Sequence, residues 1–274
     1  MKHWVMIMLA LALVGAGCAP EDIDDDPGEG AAASGGEEGA EDVAEAAAAV
    51  VIGSYSASGT QNATNEATVK KIPVTIAGGQ RVMIGTDGIT GASNQGDTWL
   101  RLQAPTGDLV KSNNDDLCSN DFGSRLSFKS PYAATMTFTV WGGCQGNASC
   151  GPNVVAVSRL KGQLSFQTTN TNSAKKNFAK KVYHVTSGRR IRASTCEDVA
   201  TGAERKGDTF LRLLRKEGEA YLQVASNDDS NLCSAHCGAG STILYEVPSD
   251  GDYEVRAGCF DNKSCSGTVA VYVE

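Results

Sequence analysis

The feature that most limits how this chain can fold is an internal duplication that preserves cysteine spacing. Gly96-Asp97-Thr98-Trp99-Leu100-Arg101-Leu102 recurs as Gly207-Asp208-Thr209-Phe210-Leu211-Arg212-Leu213. Ser112-Asn113-Asn114-Asp115-Asp116 returns as Ser226-Asn227-Asp228-Asp229. Gly143-Cys144 and Ser149-Cys150 match Gly258-Cys259 and Ser264-Cys265. Cys118 lies 26 positions before Cys144, as Cys233 does before Cys259, and the next cysteine follows after six in both copies. Repetition at this period means one structural unit built twice. The copies are placed at 51–160 and 161–274.

Each copy reads as all-β. Ile72, Val74 and Ile76 alternate with polar residues, as do Met136, Phe138 and Val140, and in the second copy Tyr253 and Val255. Period-two alternation is the mark of a strand with one face buried. Clusters of Gly, Asn, Asp and Ser punctuate these runs, and no long helical period follows residue 50. About 110 residues with seven or eight such strands suit a two-sheet sandwich. The expected fold is therefore two tandem jelly-roll-like β-sandwiches.

The part before residue 51 is of another kind. Met1-Lys2-His3, an apolar run from Trp4 to Val14 and small residues 15–17 form a secretory signal, too short to span a bilayer. Cys18 directly after small residues resembles a bacterial lipoprotein signal, which implies a cut after residue 17 and lipidation of Cys18. That family usually has Leu at the third position before the cysteine, where this chain has Gly15; the other reading is an ordinary signal cut near Ala19. Ala19 is not the Asp that retains lipoproteins in the inner membrane under the enteric sorting rule, which leans toward the outer membrane or cell surface. Residues 18–50 form an acidic linker whose eleven Asp or Glu face no Lys or Arg. Such a segment buries too little apolar surface to fold and is expected to be disordered. Residues 50–274 carry 23 Lys or Arg against 21 Asp or Glu, a net of +2. Near-neutrality argues against a nucleic-acid partner. The Lys175-Lys176, Lys180-Lys181 and Arg189-Arg190 pairs read as a solvated surface.

The motif order carries a family resemblance. A Gly-rich turn (Ala77-Gly78-Gly79-Gln80) precedes the Gly-Asp-Thr-aromatic-Leu-Arg-Leu run and the Ser-Asn-Asp-Asp turn. Gly251-Asp252-Tyr253-Glu254-Val255 and Ser266-Gly267-Thr268-Val269 close the copy. This resembles the bacterial pre-peptidase C-terminal domain over most of both copies, the second more closely. The resemblance implies a jelly-roll-like sandwich. It also implies an accessory role beside secreted peptidases, and some members bind collagen, polysaccharide or calcium. This chain holds no peptidase domain, and fold analogy alone does not establish function.

Beyond Cys18 there are eight cysteines, and an even number in an exported chain favours disulfides over metal ligation. Cys233-x3-Cys237 with His236 is the nearest approach to a zinc motif. Cys144–Cys150 and Cys259–Cys265 are expected pairs. Cys196 is assigned to Cys233, which leaves Cys118 and Cys237 to pair across the repeats. The alternatives are a free Cys118, or Cys196–Cys237 with Cys118–Cys233.

Candidate chemistry is sparse. Only His184 and His236 remain after the leader, and neither H-E-x-x-H nor G-x-S-x-G occurs, so no catalytic set is assigned. Asp97 with Asn114, Asp115 and Asp116, and Asp208 with Asn227, Asp228 and Asp229, are oxygen-rich sets of the kind calcium takes. The plain alternative is a turn whose side chains bond their own backbone. Trp141 should point away from the Met136–Phe138–Val140 face. Its counterpart Arg256 favours solvent, which makes Trp141 a candidate ligand contact or an edge residue under a loop. Trp99 and Phe210 are assigned to the core. The composite expectation is a non-catalytic, lipid-anchored envelope protein that binds polysaccharide or protein. The alternatives are an adhesive surface protein and the accessory subunit of a separate peptidase.

Overall fold

A computed structural model of the chain describes residues 48–113, 122–196, 201–230 and 237–274. The leader, Cys18 and nearly all of the acidic linker lie outside the described residues. The same holds for Asn114, Asp115, Asp116, Cys118, Cys233 and His236. No described helix is long and apolar enough to cross a membrane.

The described residues form β1 (Val50–Ser58), β2 (Lys70–Ile76), β3 (Arg81–Gly85), β4 (Thr98–Gln103), β5 (Leu109–Asn113), β6 (Arg125–Lys129) and β7 (Met136–Cys144). A long β8 (Ser149–Thr169) follows. Then come β9 (Ala179–Val185), β10 (Arg190–Ser194), β11 (Glu204–Lys206), β12 (Thr209–Glu217), β13 (Ala220–Asn227), β14 (Thr242–Glu246), β15 (Gly251–Cys259) and β16 (Ser264–Val273). They build three antiparallel sheets. One, of eight strands, runs β14-β10-β16-β8-β3-β6, with β1 paired to β8 and β11 to β16. The two four-stranded sheets run β2-β7-β4-β5 and β13-β12-β15-β9.

Alternation explains the layers. On β2, Ile72, Val74 and Ile76 are buried while the residues between them are exposed. With Val82, Ile84, Leu100, Leu102, Phe138 and Val157 they fill the first core, between one four-stranded sheet and part of the long sheet. Ile191, Leu211, Leu213, Tyr253, Val255 and Val271 fill the second, against the other. The chain is thus two β-sandwiches that share one sheet.

The shared strand is β8. Its first half pairs with β1 and β3, and its second half with β16. The division at 160/161 falls inside this strand. Val155 and Val157 face the first core, but Phe166 faces the second, so odd residues point inward before the junction and even ones after it. A strand cannot change parity without an extra residue. Leu160 pairs with Tyr272 and Gly162 with Val271, which leaves Lys161 as that extra residue in a bulge.

The other face of the long sheet is covered too. Met83 and Ala156 of the first repeat pack with Ala203, Ala270 and Tyr272 of the second. Beside them Glu274 is fully buried between Arg190 and Arg192, with Arg192 Nε 3.2 Å from its Oε1. Burial alone would raise the Glu274 pKa, but the two guanidiniums outweigh it and hold the carboxyl below its usual range. Both arginines also donate to Gly88 O of the first repeat, and Thr90 N donates to Glu274 Oε2 at 3.3 Å. The repeats are joined by apolar contact and by charge.

The Gly-Asp-Thr motif owes its threonine to packing. Thr98, fully buried, meets Thr86 Oγ1 at 3.0 Å and Ser124 Oγ at 3.0 Å, and Ser124 Oγ returns a bond to Thr98 O at 2.8 Å. Thr209 repeats this with Thr195 at 2.8 Å and Ser241 at 3.1 Å, and Ser241 Oγ donates to Thr209 O at 2.8 Å. Each knot satisfies its hydroxyls where water is excluded.

Cys144–Cys150 and Cys259–Cys265 are closed disulfides. Cys196, however, bonds to Cys237 and not to Cys233, and this corrects the pairing assigned from spacing. It also excludes Cys237 from a staple to Cys118. Thr86 and Thr195 occupy equivalent places in the hydroxyl knots, so Asp87 stands in the first repeat where Cys196 stands in the second.

Two outcomes are expected. Because the repeats share a strand and a buried face, calorimetry should show one cooperative unfolding transition; two separated transitions would show independent repeats. Non-reducing peptide mapping should recover a Cys196–Cys237 linkage. Replacing both residues by Ser should cost about 4 kcal/mol of stability, against about 2 for the Cys259–Cys265 pair, because loop-closure entropy grows with loop length.

Candidate functional site on the open sheet faces

Each four-stranded sheet has one face in a core and one turned outward. Strand register assigns the outward residues. Lys71 pairs with Trp141, Trp141 with Arg101, and Arg101 with Ser112 across β2, β7, β4 and β5. The second repeat places Lys180, Arg256, Arg212 and Ser226 in the same row. The row therefore reads cation, variable, cation, serine in both copies.

In the first repeat the variable residue is Trp141. It lies on β7, a central strand, half-buried and facing outward, which removes the reading of an edge residue. The Lys71 ammonium sits 4.8 Å from the centroid of its ring, a cation–π contact. Glu66 pairs with the same ammonium at 2.5 Å.

Trp99 joins it. Leu100 and Leu102 face the core, so Trp99 and Arg101 must face out, and Trp99 is half-buried rather than in the core. Phe210 is placed the same way beside Arg212. Both residues correct the core assignment made from the sequence. The signal was present: two leucines at alternating positions exclude the residue between them from their side. Trp99 pairs with Gly143, next but one to Trp141, so the two indoles are diagonal neighbours within side-chain reach.

In the second repeat the face is more highly charged. Arg256 stacks 4.4 Å over Phe178 and bonds Glu254 at 2.6 Å, and Lys180 reaches the same buried carboxylate at 3.3 Å. Lys180 and Arg190 thus hold specific partners, where their doublets in the sequence suggested bare solvated charge. Arg212 lies directly opposite Arg256, an unfavourable pairing of like charges. Burial first, and then the Arg256 charge, lower the Arg212 pKa.

A strained turn borders each face. Gln61, Asn62 and Ala63 are all left-handed, at φ of 52°, 61° and 54°; Asn172, Ser173 and Ala174 repeat this at 48°, 54° and 58°. Left-handed backbone costs non-glycine residues about 1–2 kcal/mol each, so other contacts must impose it. Thr60 Oγ1 bonds both the N–H and the carbonyl of Cys144 at 2.8 and 2.9 Å, and Thr171 does the same with Cys259 at 2.9 and 2.8 Å. Gly143 and Gly258 admit the turn, since a Cβ at either would meet the threonine hydroxyl at 2.7 or 2.8 Å. Arg101 Nε then donates to Asn62 O at 2.8 Å and Arg212 Nε to Ser173 O at 2.6 Å. The row's arginine is thereby aimed by the turn.

The acidic set of the second repeat comes together in part. Carboxylate oxygens of Asp208, Asp228 and Asp229 lie within 4.8 Å of one another. Three carboxylates are fewer than the six to eight oxygens that calcium takes. Lys263 Nζ already holds Asp208 Oδ2 at 2.9 Å. Asn227 is engaged elsewhere: its Oδ1 accepts from Thr242 N at 2.8 Å and its Nδ2 donates to Asp229 O. Of the first repeat's set, Asp97 is described and Asn114, Asp115 and Asp116 are not.

No protein-family model matches the chain, and no curated protein matches its sequence. Among solved structures, the N-terminal CBM22-1-CBM22-2 tandem domain of Paenibacillus barcinonensis Xyn10C is similar at 9% identity and a TM-score of 0.23. The match covers 84% of this chain and 99% of that one. The correspondence is remote.

The Asp228 carboxyl is raised to about 6, by desolvation first and then by Asp208 and Asp229, with Lys263 opposing. A folded pKa above the unfolded one stabilises the protonated form, so this contribution is present below the unfolded value and lost as pH rises through about 6. Asp228→Asn should therefore raise the melting temperature relative to wild type at neutral pH and change it little near pH 4. An equal shift at both pH values would refute the assignment.

Proposed function

We propose that the protein is a non-catalytic binding module for extracellular polysaccharide, anchored to the bacterial envelope through a lipid on Cys18. The outward face of the first repeat, with Trp99 and Trp141, is its contact surface. The observation that carries this reading is Trp141. It is a large aromatic on a central strand of an open sheet face, set between two cations in one cross-strand row. Indole rings give broad, rigid apolar area at low entropic cost and suit the flat faces of sugar rings. The motifs shared with pre-peptidase C-terminal domains support an accessory role of this kind.

Saturable binding of the purified, oxidised protein to immobilised bacterial and plant polysaccharides tests the reading, with calcium and again with chelator. Trp141→Ala should weaken binding about tenfold or more while leaving the melting temperature within a few degrees of wild type. Binding unchanged by that substitution would move the site elsewhere. Loss of binding with chelator alone would move it to the Asp208–Asp228–Asp229 set.

A further inference from the structure

Resting on that reading, we propose that the polysaccharide is acidic, with carboxylates on its sugars, and that the cation–variable–cation rows of the two repeats are the elements that read them.

The folded part of the chain is nearly neutral, yet within each row the cations outnumber the carboxylates bound to them among the described residues. In the first repeat Lys71 and Arg101 flank Trp141, and Glu66 is bound to Lys71. Arg101 spends its Nε on Asn62 O, a neutral carbonyl, and its two terminal nitrogens make no bond among the described residues. In the second repeat Lys180, Arg256 and Arg212 share a single carboxylate, Glu254, which bonds the first two. Arg212 is left with the Ser173 carbonyl and the Gln223 amide oxygen, facing a like charge across the strand pair.

Ion pairing within the sheet accounts for part of this and not the whole. Like charges directly opposite one another destabilise a sheet, and although Arg256 is offset by the buried Glu254, Arg212 has no carboxylate partner among the described residues. An anion lying across the row would reverse the sign of that interaction. Guanidinium presents paired N–H donors that match a carboxylate in two-point contact, whereas ammonium acts as a point charge. Both copies keep the flanking cations while the central residue changes from Trp141 to Arg256. The constant element is the charge pair, and the variable one sets how much of the contact is stacking. A strained turn fixes the arginine of each row, which is the preorganisation an anion site requires.

The test uses the purified protein with polygalacturonate and with its fully methyl-esterified form, which keeps the backbone and removes the charge. A neutral β-glucan and polyglutamate serve as further ligands. The acidic polymer should bind about tenfold more tightly than its ester, and the difference should shrink at high salt. Lys71→Gln removes an exposed cation without touching the turn, so it should fold normally and lose about threefold to tenfold in affinity for polygalacturonate, with less effect on the ester. Arg101→Lys keeps the charge and removes the two-point contact, and should fall between wild type and Lys71→Gln. Equal affinity for polygalacturonate and its ester would overturn the acidic specificity and leave the polysaccharide reading standing. Polyglutamate binding as tight as polygalacturonate would overturn it in favour of an acidic-protein partner. Failure to bind any polysaccharide, the β-glucan included, would remove the reading itself.

Discussion

The structure depends on β8, which must serve as the last strand of one sandwich and the first of the next. A strand that lies in two cores has to present its apolar residues to both, and the cores take opposite parities of its sequence. The bulge at Lys161 reconciles them. Because the strand does not break, no linker separates the repeats, and the outer faces of their shared sheet pack against each other through Met83, Ala156, Ala270 and Tyr272. The Arg190–Glu274–Arg192 cluster and its bonds to Gly88 place charge where a hinge would otherwise need freedom.

At the far side of each sandwich the repeated residues form a second device. Gly143 and Cys144, like Gly258 and Cys259, end a central strand in a disulfide, and the missing Cβ admits a threonine that holds a left-handed turn. The turn's carbonyl then fixes an arginine on the open sheet face. A motif that reads in the sequence as a cysteine pair with a glycine is in this way connected to a surface cation some forty positions away. Three strained residues survive in each copy because threonine, glycine and arginine over-determine them together.

The acidic turn of the second repeat is bound into the surrounding structure. Asn227 braces its own turn and the neighbouring strand, while Asp208 is held by Lys263. In sequence the first repeat has Ala148 where the second has Lys263, and Asn114 where the second has Asp228, so the matching positions of the two copies differ in charge. What both copies keep is the threonine knot behind it, which is structural.

Much of this was legible in the chain. Alternation alone set the strands, and the duplication set two equivalent sandwiches, because period-two burial and repeated spacing are properties of consecutive residues. The outward position of Trp99 was legible as well, in Leu100 and Leu102 on either side of it. Other features belong to the tertiary structure. Cys233 and Cys237 are four positions apart in the sequence, so distance along the chain could not decide which meets Cys196; the approach of Cys237 to the end of β10 did. The row of Lys71, Trp141 and Arg101 joins three strands, and its members become neighbours only once register is set. Local chemistry determines which residues face inward together. Which distant residues then stand side by side is decided by how the sheets close, because that depends on the whole core and not on any one segment.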